Sequence, residues 1–245
     1  MDDWLKKWLA FKRVIKQCDV VLQVVDARNV RGTLNWSLKN YLSKMIVVVT
    51  KSDLMKGDAF AHLPSTLRGY RWVVVSGKTG DGIQMLLAEI RRASQRRPIR
   101  VGVVGYPNVG KSSLMNRLAG RRATKVSPVP GQTTNVQWVT LGDIMLYDTP
   151  GVVPKTEKGV SLVLKSAVPA QKIPSPEPIA IEIIARNMKS VAEHYDVKLS
   201  KEDDAEKLLE KIAKRRGKLL KGGELDVEGM SRLVINDYQR GRLLI

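Results

Sequence analysis

The side chains best placed to do chemistry are a lysine and a serine that close a run of glycines and turn residues, Gly105-Tyr-Pro-Asn-Val-Gly-Lys-Ser-Ser113. From Gly105 to Ser112 the run fits G-x-x-x-x-G-K-[ST] without a mismatch. Glycines let the backbone curl so that successive N–H groups face one anion, and a following helix adds partial positive charge at its N-terminus. Lys111 would then reach the outer phosphates of a nucleoside triphosphate, and the Ser112 hydroxyl would ligate Mg²⁺. Asn108, Val109, Gly110 and Ser113 complete the cradle.

A second group reads a base. In Thr50-Lys-Ser-Asp53 the carboxylate can accept both the ring N–H and the exocyclic amine of guanine, a donor pair that adenine lacks. The stem of Lys51 would cover the base, and Ser76 with the Gly77 N–H, in Ser76-Gly-Lys78, would face it from the other side. A third group serves the reacting phosphate. Asp148, in Asp148-Thr-Pro-Gly151, is placed to hold Mg²⁺ through a water, and the Gly151 N–H to sense the γ-phosphate. Thr133 or Thr134, in Pro130-Gly-Gln-Thr-Thr-Asn135, supplies a further hydroxyl ligand. Taken singly, each short motif is equally a polar turn at the end of a strand.

The elements that must position these groups are apolar runs. Val20 to Val25, Met45 to Val49, Trp72 to Val75 and Ile99 to Val104 read as buried strands, and helical patterns cover Leu34 to Leu42, Ile83 to Ala93 and Leu114 to Leu118. Val136 to Leu141 and Ile144 to Tyr147 read as a hairpin turning at Gly142-Asp143. This alternation predicts an α/β fold with a doubly wound, mostly parallel sheet of six strands. Ligands of such sheets bind beyond the carboxyl ends of the strands, where four of the motifs fall, so they should converge on one ligand.

Ahead of the first strand, Trp4, Leu5, Trp8, Leu9, Phe11 and Ile15 alternate with Lys6, Lys7, Lys12, Arg13 and Lys16 as an amphipathic helix with a basic outer face. Packing on the next strand is the expectation, with a membrane-surface helix as the alternative. Beyond Gly151, prolines at 154, 169, 174, 176 and 178 suggest a mobile segment and linker. Domains are therefore expected at 1–165, with a linker at 166–177 and an all-α domain at 178–245 that binds RNA. Three helices are expected there: one over 178–195, one opened by a Ser200/Asp203 capping box and stopping at Gly217, and one opened by Asp226.

Bulk composition narrows the partners. The chain has 42 basic and 24 acidic residues, net +18, and the excess is uneven. Residues 1–165 hold 27 basic and 11 acidic side chains, whereas residues 166–245 hold 15 and 13. A nucleotide needs only one or two of those cations, so a polyanion, RNA first, is expected to meet the rest. The single Cys18 excludes disulfide frameworks and zinc knuckles. The longest apolar run is far below membrane-spanning length, and a cytoplasmic monomer without a membrane partner is expected.

The segments GYPNVGKSS, PGQTT, DTPG, TKSD and SGK resemble the five motifs of a translation-factor-class GTPase, with the guanine motifs ahead of the phosphate loop. That order is similar to the circularly permuted GTPases, nearest to an archaeal member of the YlqF/RbgA ribosome-assembly group. Arg215-Arg-Gly-Lys-Leu-Leu-Lys-Gly-Gly-Glu-Leu-Asp226 resembles the group's C-terminal domain. The resemblance implies GTP hydrolysis to GDP, binding to rRNA, and maturation of the large ribosomal subunit with release coupled to hydrolysis. Lys111, Thr133, Gly151 and Asn108 would act on the reacting phosphate, with K⁺ held by Asn108. Two departures stand out. Thr50 replaces the usual asparagine, and Val152 occupies the position of the water-orienting glutamine, so intrinsic hydrolysis should be slow. A regulatory GTP-binding switch for a protein partner, with little turnover, is the alternative. Small-subunit relatives of permuted order carry extra zinc- and RNA-binding domains, for which one cysteine and little room before Asp19 leave no place. Because the chain leaves the GTPase domain next to Asp148–Gly151, a flexible insertion near Pro174 is expected to uncouple nucleotide state from RNA affinity.

Overall fold

The computed structural model describes residues 3–55, 60–120, 124–126, 138–148, 160–165 and 168–243. Contacts divide the chain into two units, 1–157 and 158–245.

The first unit is built on a seven-stranded sheet. Its strands are β1 (Val20–Asp26), β2 (Met45–Thr50), β3 (Arg71–Val74), β4 (Ile99–Val104), β5 (Thr124–Val126), β6 (Trp138–Leu141) and β7 (Ile144–Asp148), in the spatial order β3-β2-β1-β4-β7-β6-β5. The first five positions pair in parallel, and β6 and β5 complete the edge antiparallel. The fold class is the expected one, with the three-residue β5 added to the six anticipated strands. β1 and β2 are buried along their whole length, which is why they read as Val-rich apolar runs, broken in β1 only by the buried Gln23. Successive strands β1, β2 and β3 step toward one edge, and β4 returns to the other side of β1. The crevice between β1 and β4 is thus the topological switch point, where a ligand of such a sheet sits.

Helices α1 (Asp3–Gln17), α2 (Val30–Thr33), α3 (Leu63–Thr66), α4 (Ile83–Ala93) and α5 (Lys111–Ala119) accompany the sheet. The expected helix at Leu34–Leu42 is a 3₁₀ segment, Trp36–Lys44. Phe11 and Ile15 of α1 pack with Cys18, Val21, Leu38 and Val104, so the N-terminal helix is a piece of the core. Leu9, expected on the apolar face, is exposed, and the side chains of Trp4, Leu5 and Trp8 lie outside the described residues. The hairpin is confirmed, with Leu141 opposite Ile144 and Gly142 at φ +56°.

The second unit comprises α6 (Val160–Leu164), α7 (Glu177–Arg186), α8 (Met188–Tyr195), α9 (Ala205–Arg215) and α10 (Val227–Gln239) around one apolar core. Three expectations change here. The described part of the anticipated linker, 168–177, is packed into the core through Ala170 and Ile173. Arg232 of α10 donates to both of their carbonyls, at 2.8 and 3.0 Å, and Tyr238 Oη donates to the Leu164 carbonyl at 2.9 Å. The division accordingly falls at Glu157/Lys158 instead of near 165. The helix expected over 178–195 is two helices broken at Asn187, whose side chain caps α8 through the Ser190 N–H. The helix after Ser200 starts at Ala205, because Asp204 and not Ser200 accepts the capping bond from the Lys207 N–H. Asp226 caps α10 as expected. Among the described residues no helix is long and apolar enough to cross a membrane.

Candidate functional site

At the end of β4 the chain turns through Gly105 (φ +153°), Asn108 (φ +59°) and Gly110 (φ +108°) before entering α5. A Cβ on Gly105 would lie 2.5 Å from the Val24 carbonyl oxygen of β1, so only glycine lets β4 leave the sheet at the switch point. Gly110 caps α5 without a side-chain bond, so the first turn of the helix carries no side-chain cap at the end of the loop. Lys111 is buried, and its Nζ donates to the carbonyls of Gly105 and Tyr106 at 3.0 and 2.7 Å, bent over its own loop. Ser112 and Ser113 are exposed in the first turn of α5. A loop of this curvature, with a lysine and a free-standing serine at its rim, fits a polyphosphate and a hard cation.

The base-reading residues come to the same place. Thr50 ends β2 opposite Asp26 of β1. Its hydroxyl shares one proton between the Val25 carbonyl, at 2.9 Å, and the Val109 carbonyl of the phosphate loop. The residue that departs from the usual asparagine is therefore a buried strut between the two motifs. Asp53 is exposed, and Ser76 Oγ donates to its Oδ1 at 2.7 Å. Ser76 itself is fully buried, accepting from the N–H groups of Lys78 and Thr79 at 3.2 and 3.0 Å. Sequence reasoning set Ser76 against the base; in the structure its hydroxyl orients the exposed Asp53 carboxylate. A Cβ on Gly77 would come within 3.1 Å of Ser113, so the Ser76–Lys78 loop lies directly on the start of α5. Arg117 of α5 fastens it, with Nε donating to the Gly77 carbonyl at 3.0 Å and a second nitrogen to that of Lys78. A cleft of about 420 Å³ opens there, lined by Gly77, Ser113, Asn116, Arg117 and Gly120.

An ion-pair cluster beside these residues, centred on Asp26, was not expected from the sequence. Asp26, buried at the end of β1, accepts from Arg28 Nε and Nη2 at 2.9 and 2.6 Å and from Lys51 Nζ at 2.8 Å. Lys51 stands at φ +61°, a left-handed conformation costly for a side-chain-bearing residue, and Asp26 holds its ammonium there. Burial pushes the Asp26 carboxyl up, but the hydrogen bonds and charges of Arg28 and Lys51 outweigh it and hold it below the ordinary value. Burial also pushes the Lys51 ammonium down, against the pull of Asp26. The signal for this cluster was a charged pair, Asp26-Ala-Arg28, immediately after a fully buried strand.

Thr133, Thr134, Gly151 and Val152, and the side chain of Asp148, lie outside the described residues. The backbone of Asp148 ends β7 beside Val103 of β4, next to the phosphate loop.

Two family models match the chain: "RsgA GTPase" over residues 18–155 and "50S ribosome-binding GTPase" over residues 100–214. Nucleolar GTP-binding protein 2 of Yarrowia lipolytica is 35% identical over 253 residues, spanning 96% of this chain and 49% of that protein. A GTP-binding protein of Methanocaldococcus jannaschii is 35% identical over 243 residues, spanning 94% of this chain and 64% of its own length. The chain thus spans about half the length of the nucleolar relatives it matches. Among solved structures, YlqF from T. maritima superposes with a TM-score of 0.70 in its GNP-bound form, at 24% identity over 97% of this chain and 94% of that one. The GDP-bound form gives 0.68 at 25% identity, over 95% of each chain.

Proposed function

This chain belongs to the circularly permuted ribosome-binding GTPases of the YlqF/RbgA group, and from that premise we propose that it binds GTP, hydrolyses it to GDP, and uses the cycle to bind and leave the large ribosomal subunit or its precursor in the cytoplasm. The observation that carries the nucleotide assignment is the meeting of separated motifs: Thr50 bonds the phosphate loop at Val109, and Gly77 lies on Ser113. Asp53, oriented by Ser76, takes the two guanine donors, and the stem of Lys51 lies along the base while Asp26 holds its head. Lys111 exchanges its own loop carbonyls for phosphate oxygens, a swap that costs little because its charge stays hydrogen-bonded throughout. Magnesium, held by Ser112 with Asp148 and Thr133 or Thr134, supplies charge neutralisation at the outer phosphates. Asn108, exposed in the loop, would hold potassium.

RNA enters through charge: the first unit, residues 1–157, holds 25 basic and 11 acidic side chains, far more than a nucleotide requires. Val152 favours a second reading, a switch with little turnover, since an apolar side chain cannot orient water. Turnover measured in potassium and in sodium, with and without large subunits, separates the two. Stimulation by subunits supports an assembly GTPase; identical rates in all four conditions support the bare switch. Co-sedimentation with subunits under GTP, GDP and a non-hydrolysable analogue tests the cycle, which fails if the GDP and analogue forms bind alike. The coupling test moves from Pro174, which lies inside the second unit, to an insertion at Glu157/Lys158, six residues past Gly151.

A further inference from the structure

Away from the nucleotide site, a cleft of about 280 Å³ is lined by Arg31, Trp36, Ser65 and Thr66. Trp36 is 51% exposed, although nothing in its type favours water. Its direction is fixed locally. Asn35, buried, starts the 3₁₀ segment by accepting from the Ser37 N–H at 3.1 Å and the Ser37 hydroxyl at 2.6 Å. Leu34 and Leu38 on either side turn into the core, which throws Trp36 outward. The indole is then steadied by Tyr70, ring centroids 6.5 Å apart and planes at 77°. An exposed indole held in one orientation is a preformed surface for another flat ring.

Among the described residues Arg31 is the only charged side chain that lines the cleft. Residues 27–52 and 60–80 contain no aspartate or glutamate, with Asp26, Asp53, Asp58 and Asp81 falling outside them. Arg31, Lys39 and Arg68 are exposed there, and none has an ion-pair partner among the described residues. A cleft smaller than ordinary small-molecule sites, lined by an indole and a guanidinium with no carboxylate among the described residues, matches a single base attached to a phosphate.

We propose that the Trp36 cleft is a stacking platform for one unpaired base of RNA, with Arg31 on the neighbouring phosphate. This rests on the reading above that RNA is the partner, and it adds where and in what form. Paired RNA hides its base faces, so the platform selects loops, bulges and ends over helix.

The test is equilibrium binding of the full chain to a labelled single strand of about 12 nucleotides and to a duplex of the same length, across a salt series. Trp36→Ala is expected to weaken the single strand about 5- to 100-fold, as loss of one stacked base does, and to leave duplex affinity and thermal stability unchanged. Trp36→Phe, which keeps a ring, is expected to restore most of the affinity. Arg31→Ala is expected to lower the salt dependence by roughly one phosphate contact. Equal single-strand affinity for Trp36→Ala and the native chain overturns the platform, as does a parallel loss on duplex, or a Trp36-dependent affinity for an acidic peptide with none for RNA. Co-sedimentation with subunits keeps the failures apart: if it persists in the native chain while Trp36→Ala changes nothing, the platform fails and the RNA reading stands.

Discussion

At the loop expected to cradle phosphate the fastening is backbone: Gly105, Asn108 and Gly110 at positive φ, and carbonyls that accept from the Lys111 ammonium. On the base side it is side chain to side chain. Asp26 grips Arg28 and Lys51, Ser76 grips Asp53, and Thr50 and Arg117 reach across to the other half. A backbone cradle tolerates little change of residue because it depends on space for the chain. A side-chain network depends on charge and hydrogen bonding, so isosteric replacements that keep the space should still damage it.

Asp53→Asn should break the base side most deeply. The substitution loses two charge-assisted hydrogen bonds to guanine, at about 2 kcal/mol each, or roughly a thousandfold in GTP affinity. An amide offers a donor that suits xanthine, so xanthosine triphosphate should gain while GTP loses. Competition binding with both nucleotides measures this, and an unchanged preference for GTP would remove Asp53 from the site.

Asp26→Ala comes next. It leaves Arg28 and Lys51 facing each other without their shared carboxylate, a loss of about 3 to 4 kcal/mol of stability. Denaturant unfolding reads it. The cluster also sets an acid limb. An unfolded Asp26 titrates near the ordinary 3.8 and the folded one lower, so its contribution is complete above that value and disappears as pH falls through the folded pKa. Asp26→Asn should flatten that part of the stability curve. Gly105→Ala tests the opposite half by space alone, driving a methyl to 2.5 Å from the Val24 oxygen in a conformation strained for alanine, at about 2 to 3 kcal/mol. It should lower stability and nucleotide affinity together, whereas Asp53→Asn should leave stability near the native value.

The two halves were also unequally legible in the sequence. The phosphate loop is local: its glycines, lysine and serine act within nine residues, so spacing alone exposes them. The base-side network joins Asp26 to Lys51, 25 residues on, and Thr50 to Val109, 59 residues on. Those pairs meet only because β1 and β2 are in register at Asp26 and Thr50, which no periodicity reveals. For the same reason the bond from Ser76 to Asp53, 23 residues apart, was not legible either. The buried strands were legible because they are rich in valine and isoleucine, with single interruptions at Gln23 and Arg100. The start of the helical unit was not, because the prolines at 169, 174 and 176 read as breakers while Ala170 and Ile173 between them fill its core.

Thr50→Val is the smallest of these perturbations and the most direct probe of how the halves are joined. Valine matches the shape of threonine and keeps the β-branched form that β2 prefers, so space and propensity are conserved. What goes is one hydroxyl proton shared between the Val25 and Val109 carbonyls. Two buried acceptors then lose a donor, at about 1 to 2 kcal/mol. If the strut merely stabilises the fold, unfolding shifts by that amount and the affinities for GTP, for GDP and for guanosine alone stay in their native ratios. If it transmits base recognition to the phosphate loop, guanosine should bind as before while GTP weakens about tenfold, because the base half is intact and only its alignment with the cradle is lost. Calorimetric titration of the three ligands against Thr50→Val and the native chain distinguishes the two. Thr50→Asn supplies the control: an amide long enough to reach the Val109 carbonyl should restore the GTP affinity that valine loses.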